Sequence, residues 1–389
     1  MEHLSQRLLS WASLIDERTL AQAHTTSRMP FIFPHLALMP DAHLGKGATV
    51  GSVIPTLSAI IPAAVGVDIG CGMIAVRTQF TRDELVSRDL TRLRQQIERA
   101  IPLSAGKHNH KLTETAGPRI VELEELADKK GFNPDSYAGN WRYQLGSLGS
   151  GNHFIEVSVD ELDRVWMFLH SGSRGIGNKI AQHHIKVAQR LATRWWIDLP
   201  DPDLAYLVEG TPEFSRYISE LRWAQHFALL NREEMMDRVS RQLSETMGAV
   251  VVEEERINCH HNFTESEKHW GKQVWVSRKG AIIAAEGVDG LIPGSMGAAS
   301  YVVRGKGNRF SLNSAPHGAG RQYSRSAARQ AFTREQLREA MAGIEYRHTD
   351  AFIDEIPQAY KSIDQVMADS ADLVEIRHTL RQLVNVKGD

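Results

Sequence analysis

The sequence predicts an α+β fold, and two patterns along its 389 residues lead to this prediction. Short apolar runs that end at glycine, proline or polar residues indicate β-strands. Longer segments whose apolar residues recur three and four positions apart indicate α-helices. The length could hold one large domain or two of middling size. We predict a single domain, residues 1–389, with a helical insertion at residues 177–250.

Seven segments have the composition of strands: residues 35–39, 73–78, 153–157, 165–170, 257–261, 273–277 and 281–285. Four segments are predicted as helices: residues 82–100, 177–196, 212–247 and 373–386. In the first of these, Val86, Leu90, Leu93 and Ile97 fall on one helix face. Residues 103–142 are polar and aperiodic, and we expect loops there.

The charge balance argues against a broad basic surface. There are 45 lysines and arginines against 47 aspartates and glutamates, which gives a formal net charge of −2. A protein that coats nucleic acid through bulk charge needs a large basic excess. An RNA partner must therefore be held by a few well-placed arginines and lysines.

The remaining composition is typical of a protein in a reducing, aqueous compartment. The most apolar stretch, residues 59–67, is too short to cross a bilayer, and residues 1–20 lack the apolar run of a secretory signal. The two cysteines, Cys71 and Cys259, cannot form a disulfide framework, so at least one thiolate is free for chemistry. We expect a cytoplasmic protein without a membrane partner.

A candidate metal centre begins in the segment GVDIGCG, residues 66–72, which places Asp68 and Cys71 three residues apart. Its glycines permit a tight turn, so a carboxylate and a thiolate can face one point. Taken alone, the segment is equally consistent with a buried cysteine beside a turn aspartate.

Histidines in three later segments favour the metal interpretation. LGSLGSGNHFIEV contains Asn152 and His153, FLHSGSRGIGN contains His170, and INCHHNF contains His260 and His261. Imidazole, thiolate and carboxylate together form a mixed ligand set for a transition metal. Neighbouring side chains on a strand point to opposite faces, so only one of the two adjacent histidines should enter the site. We expect surface or packing roles for His108, His110, His183 and His184.

The segment SAPHGAGRQYSRSAAR, residues 314–329, carries a candidate nucleophile. The neutral form of His317 has a ring nitrogen that can attack phosphorus, and the backbone at Gly318 and Gly320 can approach a phosphate. The arginines that follow are spaced to lie on one helical stripe and to bind phosphate oxygens. They are Arg321, Arg325 and Arg329. A solvated basic helix with an incidental histidine is the alternative.

These segments together resemble the RtcB-type RNA ligase family. The matching stretches are MPFIFPHLALMPDAHLGKGATVGSVIP, AAVGVDIGCGMIAVRT, LGSLGSGNHFIEV, MFLHSGSRGIGN, INCHHNF, RKGAIIAAEGVDGLIPGSMGAASYVVRGKGN, HGAGR, IDEIPQAYKSID and VNVKG. They span residues 29–388, nearly the whole chain. The resemblance implies mixed and antiparallel sheets around a central metal cleft.

The resemblance also implies a GTP- and manganese-dependent ligase that joins RNA 3'-phosphate or 2',3'-cyclic phosphate ends to 5'-hydroxyl ends. His317 would attack GTP to form a histidine–GMP adduct, and GMP would then pass to the RNA 3'-phosphate. Two Mn²⁺ ions would share Cys71; Asp68 and His153 would complete one site, and His170 and His261 the other. The physiological RNA, in tRNA splicing or RNA repair, and a need for an archease-type activator stay open.

The same resemblance assigns further residues to GTP and RNA. Asn152 would contact the GTP phosphates; Glu156, Ser300, Tyr360 and Lys387 would surround guanosine; and Arg174, Arg321 and Arg325 would bind phosphates of RNA or GTP. Gly318 and Gly320 complete the GTP-binding set. Asp41, His43 and Lys46 lie in the first motif and either orient the site or serve as loop residues.

One departure from the family pattern precedes the nucleophile. Residues 313–316 read NSAP, where a stretch richer in Ser, Cys or Thr is expected, and Pro316 fixes the backbone and removes an N–H donor. Two other functions remain open. A manganese-dependent RNA 3'-end phosphoesterase needs the metal ligands without the histidine nucleophile. A non-enzymatic RNA-binding protein needs neither.

Overall fold

Two β-sheets that pack face to face form the centre of the computed structural model, which describes residues 1–389. The strands are β1 (Glu2–Ser5), β2 (Leu8–Ser10), β3 (Leu36–His43), β4 (Val50–Thr56), β5 (Ala59–Ile60), β6 (Gly72–Thr81), β7 (Phe154–Val159), β8 (Arg164–Ser171), β9 (Leu207–Val208), β10 (Glu253–His260), β11 (Asn262–His269), β12 (Lys272–Lys279), β13 (Ala281–Ile283), β14 (Asp289–Ile292), β15 (Ser300–Gly305), β16 (Ser314–Pro316) and β17 (Val374–Lys387). The helices are α1 (Glu17–Ser27), α2 (Arg82–Val86), α3 (Leu90–Ala100), α4 (Ala116–Lys130), α5 (Trp141–Gln144), α6 (Arg174–Arg194), α7 (Pro212–Met247), α8 (Arg325–Ala331), α9 (Arg334–Ala340) and α10 (Ile363–Asp369).

The two large sheets differ in strand direction. The six-stranded sheet has the order β1-β2-β3-β4-β12-β11 and is mixed, because β2 and β3 are parallel. The seven-stranded sheet, β10-β6-β8-β7-β17-β15-β14, is antiparallel throughout. Two further pairs, β5 with β9 and β13 with β16, are small. The α+β fold class predicted from the sequence is therefore confirmed.

The largest apolar core lies between the two sheets. It forms because successive side chains along each strand point to opposite faces of the sheet. Trp166 and Phe168 of β8 face this core, where they join Val276 of the six-stranded sheet. The intervening Met167 and Leu169 face the other way and form a second core with α3 and α7. Each large side chain buried in this way stabilises the fold by about 2 kcal/mol. Both faces of the central strands β6, β7 and β8 are covered, so these three strands are almost entirely buried.

Helix α7 extends over the outer face of the seven-stranded sheet, with the bounds predicted from the sequence. The Thr211 hydroxyl accepts from the Phe214 N–H, Pro212 occupies the first turn, and Gly248 ends the helix with a φ of 71°. Helix α6 packs against α7 and lies within two or three residues of its predicted bounds. The description of this stretch as an insertion into a single domain of residues 1–389 stays a prediction. None of the helices combines the length and apolar character that a membrane span requires.

The helix predicted at residues 373–386 is wrong, because this segment is strand β17. The spacing of Leu373, Leu380 and Val384 suits a helix face as well as a strand. Pairing with β15 on one side and β7 on the other decides the outcome, and those partners lie far away in the sequence. The consequence for the site is large, since the strand carries Lys387 to the end of the sheet.

Two other predictions need correction. The single helix at residues 82–100 is two helices, because the Asp89 carboxylate caps a new start by accepting from the Arg92 N–H. Residues 103–142 are not all loop, since they contain α4 and α5. In α4, Ile120, Leu123 and Ala127 are buried at helical spacing among otherwise polar residues. The seven predicted strands all occur, with ends shifted by up to four residues.

Candidate metal centre and nucleotide cleft

Five neighbouring strands of the seven-stranded sheet place their ends in one row. These strands are β10, β6, β8, β7 and β17. The paired residues along the row are His260–Gly72, Gly72–Ser171, His170–Phe154 and Phe154–Lys387. His261 lies just beyond this row, where the chain passes from β10 into β11 of the other sheet, and its N–H donates to the Cys71 carbonyl at 2.8 Å. The register thus gathers residues from distant motifs at one end of the sandwich.

All five metal ligands implied by the family resemblance meet there. Cys71 Sγ lies 3.4 Å from His153 Nε2 and 3.3 Å from His170 Nε2. His170 Nε2 lies 2.8 Å from His261 Nε2, and His153 Nε2 lies 3.0 Å from an oxygen of Asp68. The cysteine and the three histidines are at most 5% exposed. His260 points away from the group, and its Nδ1 lies 2.9 Å from the Gly70 carbonyl.

The contacts of the three histidines indicate which ring nitrogen carries the proton. The Nδ1 atoms of His153, His170 and His261 face the oxygens Leu148 O at 3.0 Å, Asn152 O at 3.1 Å and Asn262 Oδ1 at 3.2 Å. An imidazole that donates from Nδ1 has a bare lone pair on Nε2. Arg174 Nη1, which can only donate, also lies 3.2 Å from His153 Nδ1, so His153 alone has a contact that competes with the carbonyl. The Nε2 atoms of His153 and His170 face the Cys71 thiol, and that of His261 faces His170.

This donor set fits divalent cations. Two bare Nε2 atoms 2.8 Å apart repel each other unless a positive charge lies between them or beside them. Metal-bound histidines in proteins typically donate their other N–H to a carbonyl or carboxyl oxygen, as all three do here. Imidazole, thiolate and carboxylate suit first-row transition metals. The geometry of the residues alone thus indicates a metal centre.

The electrostatics of the ligands depend on that positive charge. Burial, then the neighbouring Asp68 carboxylate, raises the pKa of the Cys71 thiol well above its usual range. Burial opposes ionisation of Asp68, but the neighbouring His153 and Arg174 lower its pKa to about 2. Burial also lowers the pKa of His170 and His261 well below the usual value, so both rings are neutral. A bound cation would favour the thiolate.

His317 lies beside this cluster and is oriented by Asp41. Its Nδ1 donates to Asp41 Oδ2 at 2.6 Å, and its backbone N–H donates to the same oxygen at 3.1 Å. The Asp41 side chain is fully buried, whereas His317 remains 12% exposed. The His317 ring centroid lies 4.6 Å from that of His261. The opposite ring nitrogen, Nε2, is not held by Asp41 and lies next to the candidate metal centre.

Two further contacts hold Asp41 in place. Lys361 donates to the carbonyls of Pro40 and Ala42 on either side of it, at 3.0 and 2.7 Å. His43 Nδ1 lies 2.9 Å from the Asp41 carbonyl, and burial lowers the pKa of His43 to about 4. Gly320 packs directly on the Asp41 carbonyl with a φ of +74°, and a side chain there would collide with it. Of the two interpretations of Asp41, the structure favours the one in which it orients the site.

The arginines after His317 are arranged differently from the prediction. The predicted helical stripe is wrong for Arg321, because α8 begins only at Arg325. Arg321, Arg325 and Arg329 nevertheless converge on two acidic residues, Asp354 and Glu355. Arg325 donates to Glu355 at 2.6 Å and to Asp354 at 2.7 Å. These guanidinium groups are therefore ion-paired, and a phosphate would have to share them with the carboxylates.

Glu355 also connects to residues that the resemblance assigns to guanosine. The Tyr360 hydroxyl donates to it at 2.7 Å, and the Lys387 ammonium lies 3.0 Å away. Burial, then the Glu355 charge, raises the pKa of Tyr360 well above its usual value. Sequence reasoning missed Glu355, although it lies in the IDEIPQAY stretch. The signal would have been an acidic pair near three arginines.

These residues line one cleft of about 360 Å³, a size that suits a small-molecule ligand. The predicted site residues that line it are Asp68, Cys71, His170, His261, His317, Asn152, Glu156, Gly318, Gly320, Arg321, Arg325, Tyr360, Lys387, His43 and Lys46. Sequence reasoning missed Phe154, Met296 and Asn385, which also line it. Ser300 does not line the cleft; it is buried at the start of β15 and its hydroxyl makes no hydrogen bond.

Glu156 is the cleft residue with the most unusual environment. It is 2% exposed, its Oε1 accepts from Asn385 at 3.4 Å, and its Oε2 has no hydrogen-bond partner. Burial raises its pKa to about 8, with Lys387 partly offsetting this effect. A buried carboxyl oxygen without a partner is costly unless a ligand supplies a donor.

Two polar residues of α7 anchor the loops that carry the ligands, and no motif marked them. Arg232 is fully buried and donates to the carbonyls of Gly70 at 2.8 Å and Ser171 at 3.1 Å, the residues adjacent to Cys71 and His170. Asn231 accepts from the N–H groups of residues 146 and 147 and donates to the carbonyls of residues 147 and 172. Burial lowers the pKa of Arg232 to about 10, which leaves it charged at neutral pH. Their signal in the sequence was weak, because polar residues in a long amphipathic helix normally face water.

A buried thiol–imidazole–carboxylate cluster beside an oriented histidine is typical of a metal-dependent enzyme that acts on phosphates. The family model described as tRNA-splicing ligase RtcB matches residues 22–388. The chain is 48% identical over 386 residues to the RNA-splicing ligase RtcB of Escherichia coli (strain K12), covering 94% of this chain and 93% of the relative. It is 31% identical over 435 residues to the tRNA-splicing ligase RtcB of Pyrobaculum aerophilum, with 94% and 90% covered. The chain belongs to the RtcB family.

Replacing Arg232 tests whether α7 anchors the ligand loops. In Arg232→Met, the buried carbonyls of Gly70 and Ser171 lose their donor, and we expect the free energy of unfolding to fall by about 3 kcal/mol. Urea denaturation followed by circular dichroism measures this. Arg222→Met, at an exposed position of the same helix, is the control and should change stability by less than about 0.5 kcal/mol. Equal stability of Arg232→Met and the wild type would contradict the anchoring role.

Proposed function

We propose that this protein is an RNA ligase that joins a 3'-phosphate or 2',3'-cyclic phosphate end to a 5'-hydroxyl end through a histidine–GMP intermediate. One observation carries the proposal. The free Nε2 of His317 opens into the same cleft as the metal cluster, and Asp41 holds the opposite ring nitrogen. A phosphoesterase needs the cluster alone and gives no role to an oriented histidine. Family membership supports the same activity, since the relatives are named as RNA- or tRNA-splicing ligases.

His317 acts as the nucleophile. Its Nε2 forms a bond to the α-phosphorus of GTP while the α–β phosphoanhydride bond breaks and pyrophosphate leaves. The positive charge that develops on the ring is stabilised by the Asp41 carboxylate, which accepts from Nδ1. GMP then passes to an RNA 3'-phosphate oxygen, and His317 is released. Attack by the RNA 5'-hydroxyl expels GMP and forms the phosphodiester; a 2',3'-cyclic phosphate is opened by hydrolysis beforehand.

Two Mn²⁺ ions are proposed at the cluster, with Cys71 shared between them. Asp68 and His153 complete one set, and His170 and His261 the other. Support comes from Cys71 Sγ lying within 3.4 Å of both His153 Nε2 and His170 Nε2, one from each set. Bound cations in such a site neutralise phosphate charge and stabilise in-line displacement. The protein holds the ligands so that this chemistry takes place beside His317.

The guanosine of GTP is proposed to occupy the side of the cleft lined by Glu156, Phe154 and Lys387. The unpartnered Oε2 of Glu156 suits the N–H donors on the guanine edge. Asn152 has an exposed side chain near the metal cluster and is placed to contact the phosphates. The buried position of Ser300 argues against direct contact with the nucleotide in this conformation. RNA with the stated ends is the second substrate, and an archease-type activator remains a proposed partner.

Incubation with GTP and Mn²⁺ followed by intact-protein mass spectrometry tests the proposal. We expect the wild type to gain the mass of one GMP, because His317 Nε2 is free and oriented. His317→Ala should gain none. Asp41→Asn should form the adduct at least about a hundredfold more slowly, because it can no longer stabilise the imidazolium or fix the tautomer. His183→Ala, a histidine outside the cleft, is the matched control and should behave as the wild type.

An adduct that survives in His317→Ala would remove the proposed nucleophile. RNA carrying a cyclic phosphate then separates the remaining possibilities. End opening without GTP and without a joined product would identify a phosphoesterase instead. A joined product that requires GTP supports the ligase.

The raised pKa of Glu156 leads us to expect that guanosine binding depends on pH. With its pKa near 8 in the free protein, the carboxyl group is mostly protonated at neutral pH. The guanine N–H donors need the ionised form, so binding favours ionisation and affinity rises as pH increases toward the pKa. We expect guanosine affinity to rise roughly tenfold between about pH 6.5 and about pH 8.5. Calorimetry with guanosine, which has no phosphate to titrate, measures this.

Glu156→Gln is the control for that experiment. It cannot ionise, so its affinity for guanosine should stay flat over the same range. An equal pH dependence in the variant and the wild type would show that another group is responsible.

A further inference from the structure

Helix α6 carries a stripe of positive charge along one exposed face. Its exposed basic residues recur at spacings that place them within a narrow arc of one helix face. They are Lys179, Lys186, Arg190 and Arg194, with His183 on the same line; this set is called the α6 stripe. No aspartate or glutamate occurs anywhere in the helix. In a chain with a net charge of −2, this is a local concentration of positive charge.

The α6 stripe is not neutralised by ion pairs. None of its four lysines and arginines lies within salt-bridge distance of a carboxylate. Arginines elsewhere are mostly paired; Arg216 on the adjacent α7, for example, binds Glu220 at 2.8 Å. Unpaired basic residues in a row suit a ligand that carries evenly spaced negative charges.

Two exposed tryptophans follow the stripe. Trp196 is 94% exposed and Trp195 is 47% exposed. Trp196 has a φ of +55°, at the position after a helix where glycine is normally preferred. The backbone there forms the usual helix-ending pair of hydrogen bonds, from the N–H of Trp196 to Thr193 and from that of Ile197 to Ala192. A large aromatic ring in water, on a backbone that favours glycine, indicates a role outside the fold.

The helix connects this surface to the reaction centre. At its beginning, Arg174 Nη1 lies 3.2 Å from His153, and the preceding Ser173 N–H donates to Asp68. Further along, Ile185 lines the cleft, and Gln189 donates to Asp203, which also lines it. The helix spans roughly 30 Å from Arg174 to its end. The helix therefore extends from the reaction centre to the tryptophans, with the α6 stripe on its exposed face.

We propose that the α6 stripe binds the single-stranded RNA next to the reacting end, with phosphates on its lysines and arginines and an unpaired base stacked on Trp196. This inference rests on the proposed function, because it takes RNA as the substrate. Aromatic stacking combined with a track of positive charge is how proteins bind single strands without reading their sequence. The stripe also explains how a protein with nearly balanced charge holds RNA.

An anionic membrane is a less suitable partner for this surface. A helix that binds a lipid surface inserts an apolar face, but the apolar face of α6, including Ile180, Ala181 and Ala188, is buried against other helices. The loop after Trp196 contains Asp198 and Asp201, which would be repelled by a flat anionic surface. A flexible strand can follow the stripe and avoid them.

Binding of 3'-phosphorylated RNA, followed by fluorescence anisotropy, tests the proposal. One probe is a single strand of about 20 nucleotides, which is long enough to reach the tryptophans. The other is a single strand of about 4 nucleotides, which is too short to reach them. In the double variant Lys186→Glu with Arg190→Glu, we expect at least tenfold weaker binding of the long RNA and a shallower salt dependence. Binding of the short RNA should change less. Arg92→Glu with Arg99→Glu, two exposed unpaired arginines on α3, is the matched control.

Trp196→Gly separates binding from folding. Glycine suits the backbone at this position, so thermal stability should stay equal or rise while long-RNA affinity falls severalfold. GMP adduct formation at His317 should be unchanged in all these variants, since it needs no RNA. The proposal would be overturned if the double variant and Trp196→Gly both bound the long RNA with wild-type affinity. It would also be overturned if these variants lost only binding to anionic phospholipid vesicles. If the wild-type protein forms the adduct but binds neither RNA, the assignment of RNA as substrate fails instead.

Discussion

The position of one proton on each of three imidazole rings is the constraint on which the site depends. His153, His170 and His261 each direct Nδ1 at an oxygen and Nε2 into the cluster, where the first two face Cys71 and His261 faces His170. Such a group of lone pairs is unfavourable in the empty protein and favourable only around a cation. The surrounding backbone carbonyls therefore do as much to define the centre as the ligands themselves. The buried guanidinium of Arg232 keeps two of the loops that contribute these groups in position.

The sandwich architecture explains how His317, the proposed nucleophile, comes to lie beside this centre. The seven-stranded sheet supplies Cys71, His153 and His170 at the ends of its strands. His261 lies where the chain crosses to the other sheet, and Asp41 lies on β3 of that second sheet. His317 therefore meets the metal cluster across the gap between the sheets. The side of the cleft proposed for guanosine follows from the same arrangement, because β7 and β17 pair Glu156 with Asn385 and Phe154 with Lys387.

The sequence was most informative where chemistry is concentrated in short segments. Asp68 with Cys71, and His317 with its glycines, could be recognised because function demands several unusual residues close together. Arg232 and Glu355 could not, because their roles depend on partners far away in the chain. The same reason accounts for the error at residues 373–386, where pairing with β7 and β15 outweighs local spacing. Ser300 was assigned by resemblance alone, and because it does not line the cleft its role stays a prediction.

The central claim, that the cluster holds two cations sharing Cys71 beside His317, is tested most directly by crystallography with anomalous scattering. Crystals grown with Mn²⁺ and a GTP analogue that resists cleavage would be measured at the manganese absorption edge. The account predicts two peaks at bonding distance from Cys71 Sγ, one against Asp68 and His153 and one against His170 and His261. It also predicts the α-phosphorus facing His317 Nε2. A single peak, peaks without Cys71 as a ligand, or a nucleotide bound away from His317 would contradict it.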